Sequence, residues 1–425
     1  MADASVNVTI VGAGAVGHAL AYELSKTLDD IVVVDPHPNV HKMDELTVQT
    51  THNSGVIHAG IYYDRADRPF KANLCPRGNA KLYAFCQEHD VPHRKTGKLV
   101  VATEAWQLEY LADVKRVADE NGVPGVEWLH TEDEIRRFEP NVQGIAALHV
   151  PTSGIIDPVE YLKKLHNLSD STGRVSFVYG SRVTDIHPVS SGFQVTTHTQ
   201  GQGQETFETR FLINAAGLHA DEVMKMLDAE SPHSIRPTPG ESAKFYRKRD
   251  GIEMTGMNVY PAPYVHDPNG EGLSIPLSEA RERVKAGEAF YTLGVHLTPT
   301  LGDEKGGYTK DPEGAYLLDK TVTVGPAKNK YSDTKDPELL KADYQSLQRQ
   351  PSYYHQRVHS FFPGLEEKDV ELHQVGVMAT IKGYPDWVIT SDRNHPACVH
   401  LVGIDSPGLT GSLAIAEHVK RQYFP

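Results

Sequence analysis

The sequence predicts a two-domain α/β protein, with one domain assembled from three separated stretches of chain and the other spliced between them. Three observations predict it. A glycine signature near the start sits in a strand–turn–helix–strand context. Strand, glycine-turn and helix elements of the same kind return in the middle and at the end. Two stretches of other character lie between them, 94–152 and 231–363. The 425 residues leave room for two sizeable cores, and 39% hydrophobic with 23% charged residues marks a globular chain.

"VNVTIVGAGAVGHALAYELSK" opens on an apolar, strand-like run. Gly12, Gly14 and Gly17 follow in G-x-G-x-x-G spacing, then a helix-like segment, then "IVVVD" ending at Asp35. Gly12 suits a tight turn, Gly14 a close approach to a pyrophosphate, and Gly17 close packing of helix on strand. The helix N-terminus favours phosphate charge, and Asp35 suits a ribose hydroxyl. The acid favours FAD or NAD over NADP, and the fingerprint does not choose between those two. "GRVSFVYGSRVTDIHP" reads as strand, turn, strand, and "GFQVTTHTQGQGQETFETRFLINAAG" as two alternating strands ending in a small-residue turn. "CVHLVGIDSPGLTGSLAIAEHVKRQ" is strand, glycine turn and amphipathic helix. The 231–363 stretch carries loop-like insertions, "HDPNGEGLSIPLSEARERVKAGE" and "GDEKGGYTKDPEGAY".

The formal net charge is −14, and no basic run is interleaved with aromatics, so no nucleic-acid partner is expected. Three cysteines, Cys75, Cys86 and Cys398, form neither a CxxC pair nor a disulfide framework, which fits a reducing compartment. No signal or transit segment is read, and no apolar run approaches the roughly 20 residues that span a bilayer; a cytoplasmic location is expected, with an organellar one as the alternative.

"HNSGVIHAGIYY", residues 52–63, concentrates candidate chemistry. Read as a strand from Val56, it puts His58, Gly60 and Tyr62 on one face. His58 either meets a cofactor or substrate hydroxyl or is a hydrogen-bonded core histidine. His52 and His58 lack a third ligand at a recognisable spacing, so no metal is expected.

In this order along the chain, "GAGAVG", "HNSGVIHAGIYY", "KANLC", "GKLVVAT", "TSGIIDP", "INAAGLHAD", "GVHLTPTL", "VTVGPA" and "GIDSPGLTGSLAIAE" resemble the D-amino-acid-oxidase-like family of FAD enzymes. Within it, the chain is similar to the L-2-hydroxyglutarate dehydrogenase/oxidase group. The resemblance implies a Rossmann-like FAD-binding domain of the glutathione-reductase type over 1–93, 153–230 and 364–425. It implies an α+β substrate domain on an antiparallel sheet over 94–152 and 231–363. Non-covalent FAD would be held by Gly12, Gly14, Ala15, Val16, Gly17 and Asp35 at its ADP half and by Asn53, Ser54 and Gly55 along the pyrophosphate or flavin. Val183 would lie by the adenine, and Ala216, Gly217, Ser406, Gly408, Leu409 and Thr410 would complete the cradle. A helix starting near Gly408 would aim its positive end at the reduced flavin. Cys75 could be suspected of covalent flavin attachment but reads as a small buried residue.

The implied reaction oxidises a small L-2-hydroxyglutarate-like 2-hydroxy acid to the 2-oxo acid, with hydride passing to flavin N5. His58 or His296 would take the hydroxyl proton, and Tyr62, Tyr260 and Tyr264 are candidates for the pocket. Oxygen or an electron carrier would accept the electrons. The alternatives are an amine or amino-acid oxidase on the same fold and a flavin-binding module without turnover. Two departures from the family pattern bear on the substrate. Met378 stands where an arginine fork for a carboxylate is expected, with Lys382 as a substitute charge. "TPGESAKFY" (238–246) replaces a more basic "RGEYY"-like segment.

Overall fold

A computed structural model describes residues 5–40, 49–199, 201–247, 249–267, 272–303, 306–328, 332–336, 338–340 and 349–424. Its first large sheet runs Ser181–Val189, Gly192–Thr199, Gly203–Asn214, Ser5–Val11, Ile31–Asp35, Val175–Tyr179. Cys398–Val402 also pairs Gly203–Asn214, in parallel, and Val388–Ser391 extends it. The buried strands are parallel around Ser5–Val11, and the hairpin strands are antiparallel. This is the Rossmann-like sheet expected for the nucleotide domain, with an antiparallel hairpin at its edge.

The glycine signature turns the chain between the first strand and the helix Ala15–Leu24. Gly12 has φ +105°, and a Cβ there would lie 2.4 Å from the Ala215 carbonyl oxygen. A Cβ on Gly17 would lie 1.8 Å from the Gly12 oxygen, so helix and turn approach as closely as backbone allows. The last helix, Gly408–Tyr423, buries Leu413, Ala414, Ala416 and Val419 in the same core. It packs against Ala15–Leu24 and against the helix Pro69–His89. The latter starts with a proline in its first turn, and the Asp386 carboxylate accepts from the N–H groups of Phe70 (2.7 Å) and Lys71 (3.1 Å). Gly78 sits at the helix crossing, where a Cβ would meet the Thr410 oxygen at 2.4 Å. Gly78→Ala is therefore expected to cost about 1–3 kcal/mol of stability by overpacking. Urea unfolding checks this, and an unchanged midpoint would show that the two helices separate freely.

The second large sheet runs Glu371–Ile381, Ile235–Tyr246, Leu318–Lys328, Leu297–Leu301, Asn258–Pro261, Lys98–Ala102, Ala146–His149, Glu127–Leu129. Its pairs are antiparallel except Asn258–Pro261 with Lys98–Ala102. Residues 371–381 fall in the stretch that the sequence reading gave to the nucleotide domain, yet they pair along Ile235–Tyr246 in this sheet. Backbone pairing between strands about 140 residues apart leaves no local pattern to read. The insertion read as a loop carries a helix, Leu277–Ala286, closed by Gly287 at φ +76°.

The segment read as a strand from Val56 to Tyr63 is also not one strand. Only Val56–Ile57 pairs, with Gly154–Ile156. Beyond it, side chains satisfy the backbone carbonyls. Asn79 donates to the His58 oxygen (3.0 Å), and Asn121 donates to those of Gly60 (3.0 Å) and Tyr63 (2.8 Å). Gly60, at φ +99°, turns the chain against Pro76. Among the described residues no helix is long and apolar enough to cross a membrane, and no cluster of three His, Cys, Asp or Glu could hold a metal.

Candidate active site

The N-termini of two helices, Ala15–Leu24 and Gly408–Tyr423, open on one cleft. Neither has an acidic residue in its first turn. The Thr50 hydroxyl accepts from the Ala15 N–H at 3.1 Å, while the N–H groups of Val16, Gly17, Leu409 and Thr410 have no acceptor among the described residues. Unpartnered donors at the positive ends of two helices suit phosphate and a reduced flavin. Asp35 ends the second strand beside the glycine turn, behind the residues that line the cleft. Its Oδ2 accepts from Ala13 N at 2.6 Å, and its Oδ1 from His37 N (2.9 Å) and Nδ1 (2.7 Å). Burial pushes its carboxyl up, but the His37 and backbone hydrogen bonds hold it below the usual range. Oδ2 keeps a lone pair for a ribose hydroxyl. The crowded glycine turn, the free N–H groups and this carboxylate fit an FAD molecule.

Gly14, Ala15, Val16, Asn53, Ser54 and Gly217 line the cleft, as do Ser406, Gly408, Leu409 and Thr410. Gly12 and Gly17 shape the turn behind them. Gly55 (φ +62°) donates to Asn53 Oδ1 at 2.7 Å and so fixes that turn. Ala216 sits just behind the lining, its N–H 3.3 Å from Asn214 Oδ1. Val183 packs in an apolar cluster with Val11 and Val34, off the cleft lining. The Cys75 thiol is buried and points to the His58 carbonyl at 3.6 Å.

The opposite wall is one face of the second sheet. Gly240 and Ser242, Pro326 and Lys328, and Gln374, Gly376 and Met378 are alternate residues of three neighbouring strands, and all line the cleft. A Cβ on Gly376 would lie 1.9 Å from the His52 oxygen, so the glycine lets the 52–54 turn lie on the sheet. Gln374 secures it by donating to the Asn53 carbonyl at 3.2 Å.

His58 and His296 both line the cleft. Thr410 Oγ1 accepts from the His58 N–H at 3.0 Å. The His58 ring places Nε2 3.4 Å from Ser406 Oγ, and its buried Nδ1 has no partner. His296 Nδ1 lies 3.1 Å from the Gly294 carbonyl. A carbonyl only accepts, so Nδ1 carries the proton and Nε2 keeps its lone pair. The imidazole stacks on Tyr260, with centroids 3.7 Å apart at 17°. Lys98 Nζ lies 3.7 Å from the Tyr260 ring centroid and 5.5 Å from that of Tyr62. Lys98 is 1% exposed and has no ion pair or hydrogen bond through its ammonium among the described residues. Burial lowers its pKa to about 7. Burial, then the Lys98 and Lys328 charges, lower His296 to about 3, against the Gly294 hydrogen bond. Burial and Lys98, with His296, hold His58 well below the ordinary histidine range.

Several expected residues lie elsewhere. Lys382 is exposed on the turn after Glu371–Ile381, outside the cleft lining, so it is misplaced as a substitute for the missing arginine. Tyr62 keeps a buried, unpartnered hydroxyl behind the lining, and Tyr264 is likewise not in it. Tyr260 is. Sequence reasoning missed Lys98, Lys328 and the Lys71–Asp405 pair (2.7 Å). Lys98 and Lys328 each flank an apolar strand run, where a charge reads as a solvated strand end, and Lys71 lies in the first turn of the helix Pro69–His89.

A family model described as FAD dependent oxidoreductase (DAO) matches residues 7–422. A protein named L-2-hydroxyglutarate dehydrogenase from Indibacter alkaliphilus is 30% identical, with 96% of each chain covered. One of the same name from Escherichia coli is 27% identical, covering 96% of this chain and 91% of the other. The L-alpha-glycerophosphate oxidase of Mycoplasma pneumoniae, solved with FAD bound, superposes with a TM-score of 0.74 at 23% identity, covering 98% of this chain and 94% of that one. The glycine oxidase of Geobacillus kaustophilus gives 0.67 at 16%, covering 98% and 94%. With a family model spanning nearly its whole length and a cleft that fits the cofactor, the chain belongs to the DAO family and is an FAD-dependent oxidoreductase.

Proposed function

We propose that the chain oxidises a 2-hydroxy acid to the 2-oxo acid in this cleft. The relatives' names support the substrate class. The observation that carries the chemistry is the His296 imidazole, whose Nδ1 is committed to the Gly294 carbonyl and whose Nε2 lone pair is free at the cleft wall. His296 takes the hydroxyl proton. His58, tied to Thr410 and Ser406, orients the hydroxyl from the side of the last helix. The Tyr260 ring and the Lys98 ammonium behind it hold the His296 ring in place. The bound flavin supplies the acceptor for the hydride. The residues Gly12, Gly14, Ala15, Val16, Gly17 and Asp35 serve its ADP half, and the 53–55 turn and the 406–410 helix start serve its flavin half. The domain division keeps the expected pieces, except that 371–381 joins the substrate domain.

Anaerobic mixing with L-2-hydroxy acids is expected to bleach the visible flavin band and yield the 2-oxo acid. Bleaching by amines alone, with ammonia or free amine released, would establish an amine oxidase. A flavin that no hydroxy acid or amine reduces would establish a binding module.

A further inference from the structure

We propose that Lys328 is the anchor for the substrate carboxylate, and that the cleft selects a 2-hydroxy acid with one carboxylate and a neutral side chain. The proposal rests on the reading of the site as a 2-hydroxy-acid oxidising centre. Gly240 lies between two strands, paired with Gly376 on one side and Lys328 on the other. Its missing Cβ leaves room that the Met378 methyl approaches, 3.9 Å from where that Cβ would be. Met378, where the family resemblance implies an arginine, carries no charge, and the Lys328 ammonium enters the same cleft wall from 318–328, on the other side of 235–246. Among the described residues that line the cleft, Lys328 is the only lysine or arginine. No carboxylate lies within ion-pair distance of it among the described residues; the charge of Asp405, the only acid in the lining, reaches Lys328, but its ion pair is with Lys71 at 2.7 Å.

A lysine is a compact point charge and does not reproduce the two-pronged grip of arginine. One carboxylate can pair with it. A second would meet Met378, Pro326, Tyr260 and the Asp405 carboxylate, and would lose its hydration without a cation in return. The named relatives act on 2-hydroxyglutarate, a dicarboxylate, so the proposal separates this chain from them. Lys328 also lies close enough to His296 for its charge to weaken that base. A bound carboxylate offsets this charge, so the base strengthens once substrate is seated.

The test compares wild type, Lys328→Met and Lys328→Arg as flavin-loaded proteins, with flavin content measured first. Anaerobic flavin reduction is followed with L-2-hydroxybutyrate, its neutral amide and L-2-hydroxyglutarate. Wild type is expected to half-saturate at least about tenfold lower with L-2-hydroxybutyrate than with L-2-hydroxyglutarate. Lys328→Met is expected to raise the former value on the order of 10- to 100-fold and leave that for the amide unchanged. Lys328→Arg is expected to retain most of the affinity. An unchanged half-saturation in Lys328→Met, or a preference for L-2-hydroxyglutarate in wild type, overturns the proposal. Spectral titration with 2-oxobutyrate separates the two levels. If no hydroxy acid reduces the flavin, the functional reading falls. The anchor stands or falls on whether Lys328→Met weakens 2-oxobutyrate binding to the same degree.

Discussion

His296→Gln is expected to slow anaerobic flavin reduction by about two to four orders of magnitude, the range for loss of a positioned general base. Flavin should stay bound, because His296 lies on the second sheet's side of the cleft while the helix N-termini lie on the other. Glutamine is close to the imidazole in size but accepts no proton near neutral pH. His58→Gln is expected to reduce the rate only about tenfold, on the view that it orients rather than accepts. His58→Ala should also loosen flavin retention, since its ring abuts Ser406 at the start of the last helix. The reverse ranking, with His58→Gln the more damaging, would assign the proton to His58. The pH dependence gives a second check. A base lowered to about 3 stays unprotonated above that pH, and its activity is lost only as pH falls through that region. The wild-type kcat/KM profile should therefore show no histidine limb between pH 5 and 8.

The nucleotide half was legible because its signals are local. A turn that only glycine can make, a helix start and an acid at a strand end lie within 35 residues. Residues 406–410, which line the cleft, were legible for the same reason. The substrate wall was not. It is one face of a sheet whose strands come from 235–246, 318–328 and 371–381, and which residues face the cleft depends on a register that no single segment contains. Lys328 and Lys382 look alike in sequence, each a lysine just after an apolar run. Only pairing with Gly240 brings the first to the cleft, while the second leaves on an exposed turn. The 52–63 segment misled differently. Its apolar alternation mimics a strand, but its carbonyls are claimed by Asn79 and Asn121 from distant helical positions. Side-chain hydrogen bonds of that kind have no periodicity to detect.

Lys98→Met is expected to make the protein more stable and a poorer enzyme. Lys98 is 1% exposed, and its ammonium lies over aromatic rings with no counter-charge among the described residues. Burial has brought its pKa to about 7, against an unfolded value of about 10.4. Below pH 7 both states are protonated and the folded state bears the whole cost of burying the charge. Between about 7 and 10 the unfolded chain binds the extra proton, so stability rises with pH, and above that range the cost is gone. Methionine has similar length and volume and opens no large cavity. The gain from Lys98→Met should thus be a few kcal/mol near pH 6 and shrink towards zero near pH 10, as read by urea unfolding at both. Activity should move the other way. Without the cation under Tyr260, the ring that His296 stacks on is held less firmly, and flavin reduction is expected to fall about tenfold. Loss of the same charge should raise the His296 pKa, moving the acid limb of kcat/KM upward. A variant destabilised equally at every pH, with the wild-type pH profile, would make Lys98 a packing residue. A gain in stability paired with a shifted limb would explain why the fold retains an unpaired buried charge: its cost is borne for the state of the neighbouring base.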